Sequence, residues 1–199
     1  MRSERSAFPE GRIEVVAGPM FAGKSEELVR RVRRAQLAGR GTVVVNHVLD
    51  VRAGVGTVAS HSGLSVPSVT AEGATAVPGL VEPGTELLAI DEAQFFGPDL
   101  YDVVVSLADA GLVVVVAGLS VTFDGRPFEP LPALMGVAER VDKLTAVCKV
   151  CGRDAAYHVR LLPDVVTDAA VPVAAHVGGV ESYEARCRLH RMSAGAAGD

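Results

Sequence analysis

Four short apolar runs, rich in valine, isoleucine and leucine, set the pattern of the chain. They cover Ile13–Ala17, Thr42–Asn46, Glu86–Ile90 and Leu112–Ala117. Most positions in each run are apolar, which indicates strands buried on both faces, and such strands are typical of a parallel sheet covered by helices. The pattern therefore predicts an α/β fold in which helices flank a parallel sheet.

The segments between and after these runs predict a helix, a long loop region and a second lobe. A helical run, Glu26–Leu37, follows the first strand, whereas residues 47–83 are rich in Gly, Ser, Thr and Pro and indicate loop with a short strand near Ser65–Val69. From about Val141 the composition changes to short β-like pieces. We expect a flexible N-terminus over 1–11, an α/β domain over 12–141, a small lobe over 142–192 and a disordered tail over 193–199.

Composition and charge restrict the classes of partner. The chain has 199 residues, of which 49% are hydrophobic, enough for one main core with a small appendage. A net charge of −5 argues against a nucleic-acid-binding surface. The basic cluster Arg30, Arg31, Arg33 and Arg34 is interpreted as a solvated face or a subunit contact. Because no apolar run approaches the ~20 residues of a membrane span and no signal-peptide core is evident, we expect a cytoplasmic protein.

The first strand leads into a glycine-rich turn that directly precedes the predicted helix. The turn fits G-x-x-x-x-G-K-[ST] in full, and its strand and helix context argues against a chance match. In such a loop, backbone N–H groups and the helix N-terminus attract phosphate, the lysine reaches the β- and γ-phosphates, and the serine holds Mg²⁺. The predicted ATP-binding residues are Gly18, Pro19, Met20, Phe21, Ala22, Gly23, Lys24 and Ser25.

Two adjacent carboxylates, Asp91 and Glu92, end the third apolar run. At the carboxyl end of a parallel strand, one carboxylate can serve Mg²⁺ while the next residue turns towards the nucleophile. This arrangement predicts Asp91 as a Mg²⁺ ligand beside Ser25 and Glu92 as the general base. The alternative, two acids that merely cap a strand, is disfavoured by the phosphate loop upstream.

The three cysteines of the chain lie in two pairs of potential metal ligands. Cys148 and Cys151 form one pair and Cys187 and His190 the other, each separated by two residues. Four such ligands can close a tetrahedral structural Zn²⁺ site, which would fold a lobe too small to be stable alone. A redox C-x-x-C is the competing interpretation, but it leaves the second pair unexplained.

In this order the motifs resemble those of the thymidine kinases of the small zinc-containing type. The resemblance extends from about Gly11 to Arg191. It rests on the segments 18–25, Asp50-Val-Arg52, Ser60-His61-Ser-Gly63, Asp91–Phe96, Gly118-Leu119, Phe123, Pro127-Phe128, Lys143–Gly152, Gly178–Tyr183 and Cys187–His190. It implies a RecA-like P-loop sheet with a C-terminal zinc-ribbon lobe and a lasso loop over Val173–Tyr183.

The resemblance also implies an activity and its partners. The expected reaction transfers the γ-phosphoryl group of ATP to the 5′-hydroxyl of thymidine, with Glu92, Arg52 and Lys24 as catalytic residues and Mg²⁺ and Zn²⁺ as cofactors. Feedback inhibition by dTTP and a homotetramer are further family expectations. The residues that the resemblance assigns to thymidine are Met20, Asp50, Phe95, Leu119, Phe123, Phe128, Val173, Ala174, Ala175, His176, Val177, Gly178 and Tyr183.

Some positions depart from the family pattern, and other function classes remain open. Ser120 stands where the family commonly has Asp, with Asp124 shifted along the chain, and His158 stands where Thr is common; Ala53 and Glu26 also differ. These departures bear on thymidine against deoxyuridine selectivity. A zinc-ribbon ATPase that uses ATP as a switch is the second hypothesis, although no basic and aromatic stripe for single strands is present. A GTPase is the third, but no N-K-x-D segment is present.

Overall fold

The computed structural model describes residues 11–50, 56–59, 63–161 and 182–192. Their strands, in chain order, are β1 Arg12–Gly18, β2 Gly41–His47, β3 Thr57–Ala59, β4 Ser65–Pro67, β5 Val69–Ala71, β6 Thr85–Ile90, β7 Val113–Leu119, β8 Arg140–Lys143, β9 Ala146–Val147, β10 Asp154–Ala155, β11 Tyr157–Arg160 and β12 Tyr183–Arg186. The α-helices are α1 Lys24–Leu37, α2 Leu100–Asp109 and α3 Leu131–Val137, and 3₁₀ helices cover Ala74–Leu80 and Ala93–Phe96.

Six strands form one parallel sheet in the order β5-β2-β6-β7-β1-β8. Alternate residues of β1 enter two different apolar layers: Val15 packs with α2 and α3, whereas Val16 packs with α1. Helices therefore cover both faces of the sheet and bury both apolar layers. The predicted α/β class and the four apolar strands are therefore confirmed.

The loop region between β2 and β6 holds more structure than the sequence predicts. The short strand expected near Ser65–Val69 is divided into two: β4 pairs antiparallel with β3, and β5 joins the main sheet beside β2. A 3₁₀ helix then crosses from β5 towards β6. The main sheet therefore extends beyond the four apolar strands at both edges, to β5 on one side and to β8 on the other.

A buried guanidinium joins α1 to the sheet. Arg31 is 6% exposed and donates to Glu14 of β1 at 2.8 Å, to Glu27 at 2.9 Å, and to Asp142 of β8. Hydrogen bonds from Arg30 and Arg31 lower the pKa of Glu27 to about 2. The expectation of a solvated basic face is therefore wrong for Arg31, because the fold brings three carboxylates around it.

A small lobe follows β8. It consists of two antiparallel pairs, β9 with β10 and β11 with β12, whose buried side chains form a separate cluster. Among the described residues, no helix has the length and apolar character needed to cross a bilayer.

Candidate functional site

The phosphate loop joins β1 to α1. β1 ends at Gly18 and α1 begins at Lys24. Phe21 and Gly23 adopt left-handed backbone conformations with φ of 68° and 81°. Lys24 is 7% exposed, and its Nζ donates to the carbonyl oxygen of Pro19 at 2.9 Å. The ammonium group is thus held across the loop, next to a helix N-terminus that attracts anions.

The acidic pair lies just beyond the end of β6. Asp91 and Glu92 are 2% and 5% exposed. The Asp91 N–H donates to the Val45 carbonyl at 2.9 Å, and the Asp91 Oδ1 accepts the Glu92 N–H at 3.0 Å. Glu92 has φ of 49° and ψ of 44°, a left-handed conformation that interrupts the strand. Both carboxylates are therefore buried in a sharp turn, not displayed as surface caps.

Sheet order brings the phosphate loop and the acidic pair together. β7 lies between β6 and β1, and Leu119 at its end is in register with Gly18 at the end of β1. Asp50 follows β2, the other neighbour of β6. Because all these strands are parallel, their carboxyl ends share one edge, where ligands of open α/β sheets bind.

Five apolar residues proposed for a nucleoside pocket lie at or just after the carboxyl ends of these strands. Met20, Phe95, Leu119, Phe123 and Phe128 are all partly buried, whereas the core residues of the sheet are fully buried. These five side chains therefore lie outside the two closed core layers of the sheet.

A hairpin turn after β7 carries Phe123 and fixes its acidic neighbour. The Thr122 N–H donates to Arg126 at 2.9 Å, and the Thr122 hydroxyl donates to the Asp124 carboxylate. Arg126 pairs with Asp124 at 3.2 Å on the exposed side of the turn. Ser120, by contrast, is buried. The Asp124 carboxylate is therefore engaged within the hairpin, whereas position 120 carries a buried hydroxyl group.

Several predicted site residues lie outside the described residues. They are Arg52 and the predicted lasso residues Val173, Ala174, Ala175, His176, Val177 and Gly178. Tyr183 is described: it lies in β12, is 5% exposed, and contacts His158 with ring centroids 5.9 Å apart.

The four predicted metal ligands converge in the small lobe. The ligand atoms of Cys148, Cys151, Cys187 and His190 all lie within 4.8 Å of one another. The Cys151 and Cys187 sulfurs are 3.8 Å apart, and the Cys187 sulfur is 3.3 Å from His190 Nδ1. A tetrahedral zinc with Zn–S bonds of about 2.3 Å separates its sulfurs by about 3.8 Å. The geometry therefore fits a structural zinc.

The cysteine thiols are also chemically prepared for a metal. Desolvation opposes ionisation of Cys148, but backbone hydrogen bonds from Cys187, Val150 and Cys151 outweigh it and lower its pKa to about 5. The pKa of Cys151 is lowered by Arg153, whose Nε donates to its sulfur at 3.4 Å. Thiolates are the form that binds metals, so this donor set suits a divalent cation.

The small lobe, which carries the four predicted metal ligands and is called the metal lobe below, packs directly against the phosphate loop. Ala22, inside the loop, contacts the cluster of buried lobe residues that includes Cys148 and Cys187. The Leu144 N–H donates to Ala17 at 2.8 Å, and a Cβ at Gly18 would lie 2.8 Å from the Leu144 carbonyl oxygen. Only glycine therefore fits at this contact between the end of β1 and the segment that enters the lobe.

Sequence reasoning missed one buried polar residue at the site, Gln94. It is 1% exposed, and its Nε2 donates to the Glu92 carboxylate while its Oε1 accepts the Leu119 N–H at 2.9 Å. The available signal was an amide side chain within the otherwise apolar run Ala93–Phe96.

A phosphate loop and a buried acidic pair on one sheet edge, beside a Cys₃His lobe, define the class as P-loop nucleotide-dependent enzymes with a structural metal lobe. A family model described as "Thymidine kinase" matches residues 11–191. The chain therefore belongs to the thymidine kinase family, whose members are ATP-dependent kinases.

Curated relatives agree with the family assignment. The chain is 46% identical over 185 residues to a thymidine kinase of Halobacterium salinarum, covering 89% of this chain and 92% of the relative. It is 43% identical to a thymidine kinase of Deinococcus radiodurans, with 96% and 95% covered, and 41% identical to one of Deinococcus deserti, with 94% and 98% covered. The similarity thus covers nearly the full length of both partners.

Proposed function

We propose that the protein transfers the γ-phosphoryl group of ATP to the 5′-hydroxyl of thymidine, which yields dTMP and ADP. The observation that carries this proposal is the meeting of the phosphate loop and the buried Asp91–Glu92 pair at one sheet edge. Family membership supports thymidine as the acceptor. Phosphoryl transfer depends chiefly on positioning and charge neutralisation, and this edge supplies both.

The proposed chemistry assigns one role to each polar group. Lys24 and the loop amides bind the β- and γ-phosphates, and Ser25 and Asp91 would hold Mg²⁺, which neutralises charge on the phosphates when bound. The 5′-oxygen attacks the γ-phosphorus, the bond to the β–γ bridging oxygen breaks, and ADP leaves. The hydroxyl proton passes to a carboxylate oxygen of Glu92. Arg52 is proposed to stabilise the transferring group.

Thymidine is proposed to lie between the loop after β7 and the metal lobe. The partly buried residues Met20, Phe95, Leu119, Phe123 and Phe128 would form the apolar walls, with Asp50 at the same edge. The segment Val173–Gly178 and Tyr183 would close over the base. Small residues in that segment suit recognition through backbone groups.

The remaining family expectations belong to the same proposal. Zn²⁺ would be structural, because four protein ligands leave no position for substrate. A triphosphate such as dTTP could span the phosphate and nucleoside subsites and inhibit the enzyme. A homotetramer and a cytoplasmic location complete the proposal.

Acceptor dependence of ATP consumption tests the proposed function. Zinc-replete protein with Mg²⁺ is assayed with thymidine, deoxyuridine, deoxycytidine, single-stranded DNA or no acceptor. We expect ADP formation to require a nucleoside and to be fastest with thymidine. Hydrolysis that is stimulated by DNA, or that needs no acceptor, would instead support the ATP-switch hypothesis.

A further inference from the structure

Gln94 connects the proposed general base to the end of a neighbouring strand. It lies on the 3₁₀ helix Ala93–Phe96, directly after Glu92, and its side chain is almost fully buried. Both halves of its amide are used: Oε1 accepts the Leu119 N–H at 2.9 Å, and Nε2 donates to a Glu92 carboxylate oxygen. A buried amide with both ends bonded has a fixed position.

The chemistry of the partners fixes the orientation of this amide. The Leu119 N–H is a donor and therefore needs the carbonyl oxygen of Gln94, so the NH₂ group must face Glu92. Only an acceptor can receive that N–H, and an ionised carboxylate accepts a hydrogen bond more strongly than a neutral carboxylic acid. The contact thus favours the ionised form of Glu92, which is the form that can take up a proton.

Two further features show that this part of the fold is adapted to Gln94. A Cβ at Gly118 would lie 2.7 Å from the Gln94 Oε1 and 2.9 Å from the Leu131 side chain, so glycine leaves room for the amide. Glu92 itself is held in a left-handed conformation. Its backbone therefore departs from the strand direction at the point where the Gln94 amide contacts its carboxylate.

We propose that Gln94 is a positioning residue for the phosphoryl-transfer reaction: it orients Glu92, keeps it ionised, and joins it to Leu119 of the nucleoside pocket. This inference rests on the proposed function of Glu92 as general base. The link places the base and one pocket wall on the same rigid frame, because a single side chain contacts both. Displacement of a base by about 1 Å is enough to cost roughly 100-fold in rate.

Gln94→Glu is the sharpest test, because it keeps the shape and the acceptor for Leu119 but replaces the neutral amide donor to Glu92 with a second ionisable carboxyl group. Two facing carboxylates then share a proton. We expect kcat at pH 7 to fall about tenfold or more, with the KM for ATP within about twofold of wild type. The acid limb of the kcat–pH profile should move about one unit or more to higher pH. Gln94→Met, which loses both hydrogen bonds, should lower kcat at least as much.

The exchanged variant Glu92→Gln/Gln94→Glu is the matched control. It restores an amide–carboxylate pair with donor and acceptor reversed, so its melting temperature should lie above that of Gln94→Glu while its kcat stays very low. Comparison of the melting temperatures tests the contact between residues 92 and 94 even where a single variant folds poorly. An exchanged variant no more stable than the additive effect of the two single changes would contradict the pairing.

The outcomes separate this inference from the proposed function. A wild-type protein without nucleoside-dependent turnover would overturn the proposed function itself. Normal wild-type activity together with an unchanged kcat and an unchanged acid limb in Gln94→Glu would overturn only the role of Gln94. A raised KM for ATP with an unchanged pH profile would also contradict it, because the effect would then be a general structural one.

Discussion

Two adjacent carboxylates in the same turn have different surroundings. The Asp91 Oδ1 accepts the N–H of the next residue, whereas the Glu92 carboxylate accepts from the amide of Gln94. The first contact belongs to the turn, while the second comes from a side chain held by another strand. Different partners of this kind allow neighbouring acids to take different roles, here the proposed Mg²⁺ binding by Asp91 and proton transfer by Glu92.

Glu92→Gln should remove the proposed base while it keeps the size of the side chain. We expect kcat to fall by about 100-fold or more, because general base catalysis typically contributes about 10²–10⁴-fold. ATP affinity should be unchanged, since the phosphate loop belongs to a different strand. Steady-state kinetics and an ATP titration measure both, with the exposed Glu82→Gln as the control. Near-normal turnover in Glu92→Gln would refute the assignment.

Single-residue signals in the sequence indicated the candidate site residues but not the residues that hold them in place. Lys24, Asp91 and Glu92 stand in motifs whose spacing alone indicates their chemistry. Gln94 and Arg31 depend on partners distant in sequence, such as Leu119 and Asp142. Those contacts arise only when β6, β7 and β8 take their places in the sheet, so the sequence could mark Gln94 as an unusual amide but could not indicate its partners.

The degree to which each strand is buried determined whether it could be predicted from the sequence. β1, β2, β6 and β7 occupy the centre of the sheet and are apolar along most of their length, so they were recognised. β5 and β8 are the two edges of the same sheet. β8, Arg140–Lys143, is polar and largely exposed because an edge strand has only one neighbour. Because its polar sequence resembles a loop, it was not recognised as a strand. The main sheet extends to Lys143 at the end of this strand.

Arg31 should be a major contributor to the stability of the α1–β1–β8 contact. Arg31→Met keeps much of the side-chain length but leaves Glu14 and Asp142 without this buried cation. Because Glu14 keeps its pair with Arg12 and Asp142 keeps its pair with Arg140, we expect a loss of about 1.5–3 kcal/mol, below the cost of an uncompensated buried ion pair. Chemical denaturation measures the loss of unfolding free energy. Arg34→Met, an exposed position on the same helix, is the control and should change it by less than about 0.5 kcal/mol. Equal small effects of both changes would contradict this role.

At the scale of the whole molecule, the metal lobe and the phosphate loop form one structural unit. Ala22 packs against the lobe cluster that contains two of the metal ligands, and Gly18 lies against the segment that enters the lobe. A lobe of short strand pairs has little core of its own, so a Zn²⁺ held by the four proposed ligands would supply much of its stability. The metal is thus expected to support the ATP site as well as the segment proposed to cover thymidine.

Removal of zinc by a chelator should therefore affect both substrates. We expect the KM for ATP and for thymidine to rise, because the lobe supports the phosphate loop through Ala22. Tyrosine fluorescence reports chiefly on the lobe, since two of the three tyrosines, Tyr157 and Tyr183, lie there and the chain has no Trp. Metal analysis should find one zinc per chain before chelation. Unchanged kinetics and fluorescence in the metal-free protein would contradict the coupling.

The most direct test of the central claim follows the γ-phosphoryl group itself. Zinc-replete protein is incubated with Mg²⁺, thymidine and ATP labelled in the γ-phosphoryl group, and the labelled product is identified by mass. We expect the label to appear in dTMP, esterified to the 5′-oxygen, and Glu92→Gln to abolish most of this transfer. Label that appears only as inorganic phosphate, with or without thymidine, would contradict it.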